Sequence, residues 1–176
     1  MIETITQFLP YLYALVLLWL GASLGLTFAD IDLAPPLPLS HRSAWTHGVF
    51  IPLALLYISQ GNPWARAFSL GFLPLYALHL AYDMFPRAWQ SIACISLYPI
   101  PGRLPGWLSF LYLWVGLGAA LWAWLALAPL WLEVGLVVAL FLVYGATYAH
   151  KEGGWPWNSL GPLVSVVGAF IVVLLI

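Results

Sequence analysis

The sequence predicts an all-α fold, a polytopic bundle of membrane helices that forms one integral membrane domain over residues 1–176. Composition is the first reason: 64% of the residues are hydrophobic and 6% are charged, whereas a typical soluble protein is about 25% charged. Patterning is the second reason, because the apolar residues form segments of the length that a helix needs to cross a bilayer, about 20 residues. A soluble fold could not bury so much apolar surface, so lipid is expected to surround much of the chain.

Four apolar segments are long enough to cross a bilayer, and two more are shorter. In chain order they cover residues 8–29, 45–60 (short), 67–85, 108–128, 131–148 and 160–176 (short). The predicted count is therefore about six transmembrane helices, or five or four if the short segments do not cross. The start of the chain lacks the basic residues of a signal peptide, so the first segment is interpreted as a retained membrane helix.

The basic residues predict an orientation for these six spans. One face of the membrane carries the loops 29–44, 86–107 and 149–159 with four of the five basic residues, and the other face carries both termini and Arg66. The positive-inside rule places the more basic face in the cytoplasm. We therefore expect a multi-pass protein of the cytoplasmic (inner or plasma) membrane with both termini outside.

The net charge and the cysteine content give two further constraints. The net charge of −1 gives no electrostatic reason to expect nucleic acid. The chain has a single cysteine, Cys94, which excludes an internal disulfide. Membrane lipid is the partner that the composition favours.

Scarce ionisable residues gather at the ends of the first three predicted spans. The first span ends in ADID, the stretch HRSAWTH (41–47) leads into the second, and HLAYD (79–83) ends the third. Because successive spans run in opposite directions, all three clusters are expected at one depth on the cytoplasmic face. Ionisable residues near membrane spans are functional hypotheses by default. The candidate metal ligands are three carboxylates and three imidazoles: Asp30, Asp32, His41, His47, His79 and Asp83.

The spacing within the clusters is compatible with a shared site. His79 and Asp83 are four residues apart and lie on one face of a helix. Asp30 and Asp32 point the same way if the chain leaves the first helix in an extended conformation. Carboxylate and imidazole ligands suit zinc, manganese or iron, and six of them are enough for one or two divalent ions.

The second cluster is expected to divide between a loop and a helix. Ser43 is predicted to cap the second helix, with Thr46 and His47 in its first turn, and His41 remains in the loop. Arg42 is either a cytoplasmic anchor or a clamp for an anionic substrate. In a catalytic site, Arg42 would neutralise substrate charge and Thr46 would orient a ligand or a water molecule.

Each of these residues alone has an ordinary explanation as a helix cap or an interfacial side chain. The patterns HxxxD and DxD are weak signals when they occur singly. Their joint occurrence at one predicted depth, in a chain with three aspartates, favours a site. His150, which is followed by Lys151 and Glu152, is interpreted as a solvated loop residue instead.

The three motifs resemble those of the membrane-bound metal-dependent hydrolases of the YdjM type. Members of that family carry DID after the first span, then HRxxTHS, then HxxxD at the end of a later span. This chain has DID at 30–32, HRSAWTH at 41–47 and HLAYD at 79–83. The resemblance implies a cytoplasmic-membrane protein that binds divalent metal through the same six residues, and it implies hydrolase activity.

The resemblance extends to the proline-rich stretch LYPIPGRLPGW at 97–107 and covers none of the last three spans. Two positions depart from the family pattern. Leu33 follows the DID where many members have histidine, and Gly48 replaces the serine of THS. The first departure removes a further ligand and the second removes a hydroxyl, but neither changes the six main candidates.

The predicted function is metal-dependent hydrolysis of an ester or phosphoester, with a membrane lipid as a candidate substrate. The alternative is a non-catalytic subunit or assembly factor of a larger membrane complex that keeps a metal-binding site, in which small-residue stretches such as GLGAA serve helix packing. A transporter ranks third, since it would need polar residues along a path across the bilayer and the opposite face is almost bare.

Overall fold

The computed structural model describes residues 2–33, 42–85, 94–97, 100–151 and 160–175. Within these ranges the structure is helical, and its β-type pairing is limited to two isolated bridges. The elements are α1 (Ile2–Thr27), a 3₁₀ helix (Phe28–Leu33), α2 (Phe50–Ser59), α3 (Pro63–Met84), α4 (Gly106–Ala126), α5 (Trp131–Lys151) and α6 (Leu160–Leu175). The all-α prediction is confirmed for the described part of the chain.

Two of the apolar segments, Leu9–Ile31 and Gly106–Ala126, are long and apolar enough to cross a membrane by length and composition. The remaining apolar helices give shorter apolar stretches, such as Phe50–Ser59 and Pro162–Leu175. Residues 45–60, the second predicted span, contain a helix of only 10 residues.

The central element of the fold is α3, which packs against each of the other five helices. Its side chains are buried on all sides, from Ala67 near its start to Met84 at its end. A helix that is apolar all round belongs in the interior of a protein. The consequence for function is that His79 and Asp83, in the last turns of α3, lie in the interior of the bundle.

Small residues allow α1 and α3 to approach until their main chains touch. A Cβ added at Gly21 or Gly25 would collide with the carbonyl oxygens of Phe68 and Phe72, and one at Gly71 would collide with a carbonyl of α1. Close approach through small residues is typical of helix packing in membranes. It places the C-terminal end of α1 directly against the end of α3 that carries His79.

The second helix begins later than the sequence predicted, and Ser43 does not cap it. Its N-cap is Val49, which has no side-chain cap. The reason is Pro52: a helix that reached back to residue 45 would place the proline ring against the carbonyl of Gly48 and leave that carbonyl without its helical partner. The helix starts at Phe50 instead, so Thr46 and His47 lie in a turn before it.

That turn, residues 43–49, is joined to the chain between α3 and α4. The amide of Ala44 donates to the Ser96 carbonyl (2.9 Å), and the amide of Ser96 donates to the Arg42 carbonyl (2.8 Å). Ser96 also forms an antiparallel bridge with Arg103, which folds the second segment back on itself. The turn is therefore held by main-chain bonds from a segment far away in sequence.

A polar cluster lies at the start of α3, at the opposite end of the helix from His79 and Asp83. The Arg66 guanidinium binds the Glu133 carboxylate through two bonds of 2.8 and 3.0 Å. It also donates to the carbonyls of Leu127 (3.1 Å) and Ala128 (3.0 Å). These contacts fix the turn between α4 and α5 onto the start of α3, so Arg66 and Glu133 are explained as structural residues.

Candidate metal centre

Four of the six predicted ligands meet in one cluster. One ligand atom from each of Asp30, His47 and His79 lies within 4.8 Å of the corresponding atoms of the other two. Asp83 adjoins this group, because its Oδ2 lies 3.1 Å from His47 Nε2 and 3.3 Å from His79 Nε2. The cluster could hold a metal ion. His41 and the side chain of Asp32 lie outside the described part of the chain.

Three different elements supply these side chains. Asp30 lies in the 3₁₀ helix after α1, His47 in the turn before α2, and His79 and Asp83 on one face of α3. The extended conformation that the sequence interpretation assumed for residues 30–32 is wrong, because the chain tightens into a 3₁₀ helix there. Asp30 nevertheless comes within 3.8 Å of His79 Nε2 through its Oδ1.

The orientation of the His79 ring follows from its contact with α1. Its Nδ1 lies 2.8 Å from the carbonyl oxygen of Leu26. A carbonyl only accepts hydrogen bonds, so Nδ1 carries the proton and donates it. In a neutral imidazole the other nitrogen, Nε2, then carries the lone pair, and this is the atom that faces Asp83 and Asp30.

The same reasoning fixes the ring of His47. The Thr46 hydroxyl donates to the Ser43 carbonyl at 3.2 Å, so its oxygen is available to accept. His47 Nδ1 lies 2.9 Å from that oxygen and 3.3 Å from the Ser43 carbonyl, and the tautomer with the proton on Nδ1 satisfies both contacts. Nε2 of His47 therefore also presents a lone pair to the cluster when the ring is neutral.

The two imidazoles thus direct the same type of atom at the same carboxylate oxygen. Oδ2 of Asp83 is buried, and both Nε2 atoms lie within hydrogen-bonding distance of it. Lone pairs on two neutral Nε2 atoms repel a carboxylate at 3.1 and 3.3 Å, unless a proton or a metal cation lies between them. A histidine that donates Nδ1–H to a carbonyl and offers Nε2 has the arrangement found around protein-bound metal ions. The donor set fits a divalent cation.

Arg42 approaches the cluster through Asp83. Its Nε donates to Asp83 Oδ1 at 3.2 Å, and the two side chains are 11% and 12% exposed. The Arg42 backbone has φ of 60°, in the left-handed region that few non-glycine residues adopt. The guanidinium therefore holds one oxygen of the carboxylate while the other faces the imidazoles. Thr46, the second residue predicted to assist catalysis, contacts the ring of His47.

Comparison with protein family models, with curated proteins and with solved structures finds no match.

Sequence reasoning missed two tyrosines that contact the main chain of residues 43–49. This turn carries His47 and is called the ligand turn below. The Tyr76 hydroxyl donates to the carbonyls of Thr46 (2.8 Å) and Gly48 (3.0 Å), and the Tyr112 hydroxyl donates to that of Ala44 (2.6 Å). A signal existed for Tyr76, which lies three residues before His79 and so on the same face of α3. Tyr112 had no comparable signal, because its partner is a main-chain atom distant in sequence.

Proposed function

We propose that the protein is a membrane-embedded, metal-dependent hydrolase that cleaves an ester or phosphoester at the cytoplasmic face, with a membrane lipid as substrate. The observation that carries the proposal is the convergence of two imidazole Nε2 atoms, each oriented by an Nδ1 hydrogen bond, on the carboxylates of Asp30 and Asp83. The resemblance to hydrolases of the YdjM type points to the same residues and the same reaction class.

In this proposal His47 and His79 hold the cation through Nε2, and Asp30 and Asp83 supply the balancing charge. Zinc, manganese or iron suits this mixture of ligands, and one or two ions could be bound if Asp32 and His41 take part. A divalent ion would supply Lewis-acid activation of water and of the ester or phosphoryl group. Arg42 keeps Asp83 in place, and Thr46 keeps the His47 ring in place.

Among the described side chains of the cluster, that of Asp30 is the most exposed, so we propose access from its side. The Asp30 side chain is 38% exposed, whereas those of His47 and His79 are 0% and 2% exposed. Substrate would therefore meet the carboxylate of Asp30 first, with the imidazoles behind it. Burial of the imidazoles keeps bulk water away from the side of the cluster that faces α3.

We further propose that the six helices form a multi-pass membrane bundle. Apolar side chains are exposed along one face of α6, for example Val164, Val167 and Ile171, which recur at helical spacing. A soluble monomer rarely exposes contiguous apolar patches beyond a few hundred Å². Lipid contact explains this face, and similar faces are exposed on α1 and α5.

Exposed apolar residues also surround the end of the bundle that carries the cluster. Ile31 follows Asp30 directly, Trp45 lies in the ligand turn, and Trp107 lies at the start of α4 with 68% exposure. Tryptophan is enriched where membrane meets water. We therefore propose that the site lies at the level of lipid headgroups, where a lipid ester or phosphoester would be the substrate. The cytoplasmic orientation remains the one that the basic residues predict.

Metal content and cleavage measured on the same purified protein would test the proposal. His79→Ala removes one of the two imidazoles that the described residues bring to the cluster, so both bound metal and hydrolysis should be lost. His150→Ala is the matched control, because His150 is the one histidine outside the candidate set. The substrates would be phosphoester and neutral ester lipids in mixed micelles. Full metal content in His79→Ala would refute the metal centre.

A non-catalytic role in a larger membrane complex is the second candidate. One observation favours it: the Arg42 side chain is 11% exposed and engaged with Asp83, and a group held there is poorly placed to receive an anionic substrate. Bound metal without turnover on any lipid ester, together with a co-purifying membrane protein, would support this role over hydrolysis.

A further inference from the structure

The ligand turn, residues 43–49, has to hold His47 accurately without the support of a helix. His47 is fully buried, yet it lies on irregular backbone between two elements and not on a helix. Sites on loops are held less precisely than sites on helices or strands. Within the turn, the amides of Thr46 and His47 both donate to the Ser43 carbonyl, at 3.1 and 3.0 Å. These short-range bonds shape the turn but do not attach it to the helix that carries His79.

One phenol group makes that attachment, and a second one ties the turn to α4. Tyr76, which is fully buried in α3, donates to the carbonyls on either side of His47, at Thr46 (2.8 Å) and Gly48 (3.0 Å). Tyr112, from α4, donates to the carbonyl of Ala44 at 2.6 Å. Three alternate carbonyls of the turn are therefore bound by hydroxyls from two different helices.

Gly48 shows how closely Tyr112 approaches. A Cβ at this position would collide with the hydroxyl and ring of Tyr112. A residue with a side chain at position 48 could therefore not coexist with Tyr112 in its present place.

We propose that Tyr76 and Tyr112 are positioning residues of the metal centre, which set the place of His47 by holding the main chain of its turn. The inference rests on the proposed metal-binding function. Tyr76 lies on the same helix as His79, so its two bonds fix the distance between the two imidazoles. The ring centroids of His47 and His79 lie 5.7 Å apart, and this separation allows both Nε2 atoms to reach one cation.

Hydroxyl deletion by Tyr→Phe keeps the aromatic ring and removes only these hydrogen bonds. Outer residues that orient metal ligands typically change metal affinity by about 10–100-fold when removed. We expect Tyr76→Phe and Tyr112→Phe each to weaken Co²⁺ binding by at least about tenfold, with a changed visible spectrum of the bound Co²⁺. The matched control is Tyr144→Phe, which deletes a hydroxyl bonded to Ser23 Oγ at 2.6 Å between α1 and α5.

The experiment uses the full chain in detergent micelles and adds a readout that needs no metal. Histidine labelled with ¹⁵N reports the protonation of each ring nitrogen, and His47→Gln identifies the His47 signals. In the metal-free protein, Tyr76→Phe and Tyr112→Phe should shift the His47 ring signals away from the Nδ1–H form, and Tyr144→Phe should leave them unchanged. Thermal unfolding of the three variants shows whether they fold equally well.

The outcomes separate this inference from the proposed function. Unchanged His47 signals in both Tyr76→Phe and Tyr112→Phe would overturn the positioning role, even if wild-type protein binds Co²⁺. If the wild-type protein binds neither Co²⁺ nor Zn²⁺ but the His47 signals still shift in the two Tyr→Phe variants, the positioning role is supported and the metal centre is overturned. Equal effects of all three variants would mean that the hydroxyls act only on global stability, which also overturns the inference.

Discussion

Gly25→Ala would test whether the contact between α1 and α3 controls the candidate site. The added Cβ would collide with the carbonyl of Phe72, well inside the 3.0 Å that real Cβ atoms respect. Main-chain atoms cannot rotate away, so the two helices must separate by on the order of 1 Å. Overpacking of this kind typically costs about 1–3 kcal/mol of stability.

The same separation should reach the metal centre. Leu26 adjoins Gly25, and its carbonyl accepts the 2.8 Å hydrogen bond from His79 Nδ1. Lengthening this bond by about 1 Å exceeds hydrogen-bonding distance, so the His79 ring loses the contact that orients it. Metal affinity should then fall by about 10-fold or more, in addition to the loss of stability.

Gly118→Ala in α4 is the matched control, since a Cβ there has no neighbour within 4 Å. Alanine in an open helical position is more stable than glycine by about 0.5–1 kcal/mol, so the control should unfold at the same or a higher temperature. Thermal unfolding in micelles and Zn²⁺ titration against a competing chelator would measure both effects. Equal unfolding temperatures for Gly25→Ala and Gly118→Ala would refute the main-chain contact between α1 and α3.

Two further predictions concern the arginines at opposite ends of α3. Arg42→Gln leaves the proposed ligands intact but removes the partner of Asp83 Oδ1. It should therefore lower metal affinity and the unfolding temperature and slow hydrolysis of neutral and anionic lipids alike, whereas slowing confined to anionic lipids would show that Arg42 acts on the substrate and not through Asp83. Arg66→Gln removes the bonds to Glu133 and to two carbonyls of the α4–α5 turn. It should lower the free energy of unfolding by about 1–3 kcal/mol and leave the metal affinity unchanged. Reduced Zn²⁺ binding would contradict its structural role.

The helices were predictable because apolar length is a local property. The described bounds of α4, 106–126, differ from the predicted 108–128 by two residues at each end. The second helix was misplaced because its start depends on one residue, Pro52, whose effect on the Gly48 carbonyl overrides the apolar pattern. Apolar runs therefore located the helices, and backbone chemistry decided where one of them begins.

Parts of the candidate site were predictable for a different reason. Alternating helix directions bring the ends of the first and third helices together, and the i, i+4 spacing of His79 and Asp83 fixes their shared face. The roles of Leu26 and Tyr112 could not be predicted in this way, because each depends on a main-chain carbonyl bond across the fold. Every residue has a carbonyl, so sequence carries no mark of which one will accept such a bond.

The contacts of Asp83 can be satisfied by protons or by a metal cation. Arg42 donates to Oδ1, and Oδ2 lies 3.1 Å from His47 Nε2 and 3.3 Å from His79 Nε2. A proton on one Nε2 would form an ion pair with Oδ2, and this pair alone would make a stable structural network. A divalent cation would instead accept the Nε2 lone pairs, and it would also offset the charge of Asp30, 3.8 Å from His79 Nε2. The measured metal content of the wild-type protein therefore decides between a structural ion-pair network and the proposed metal centre.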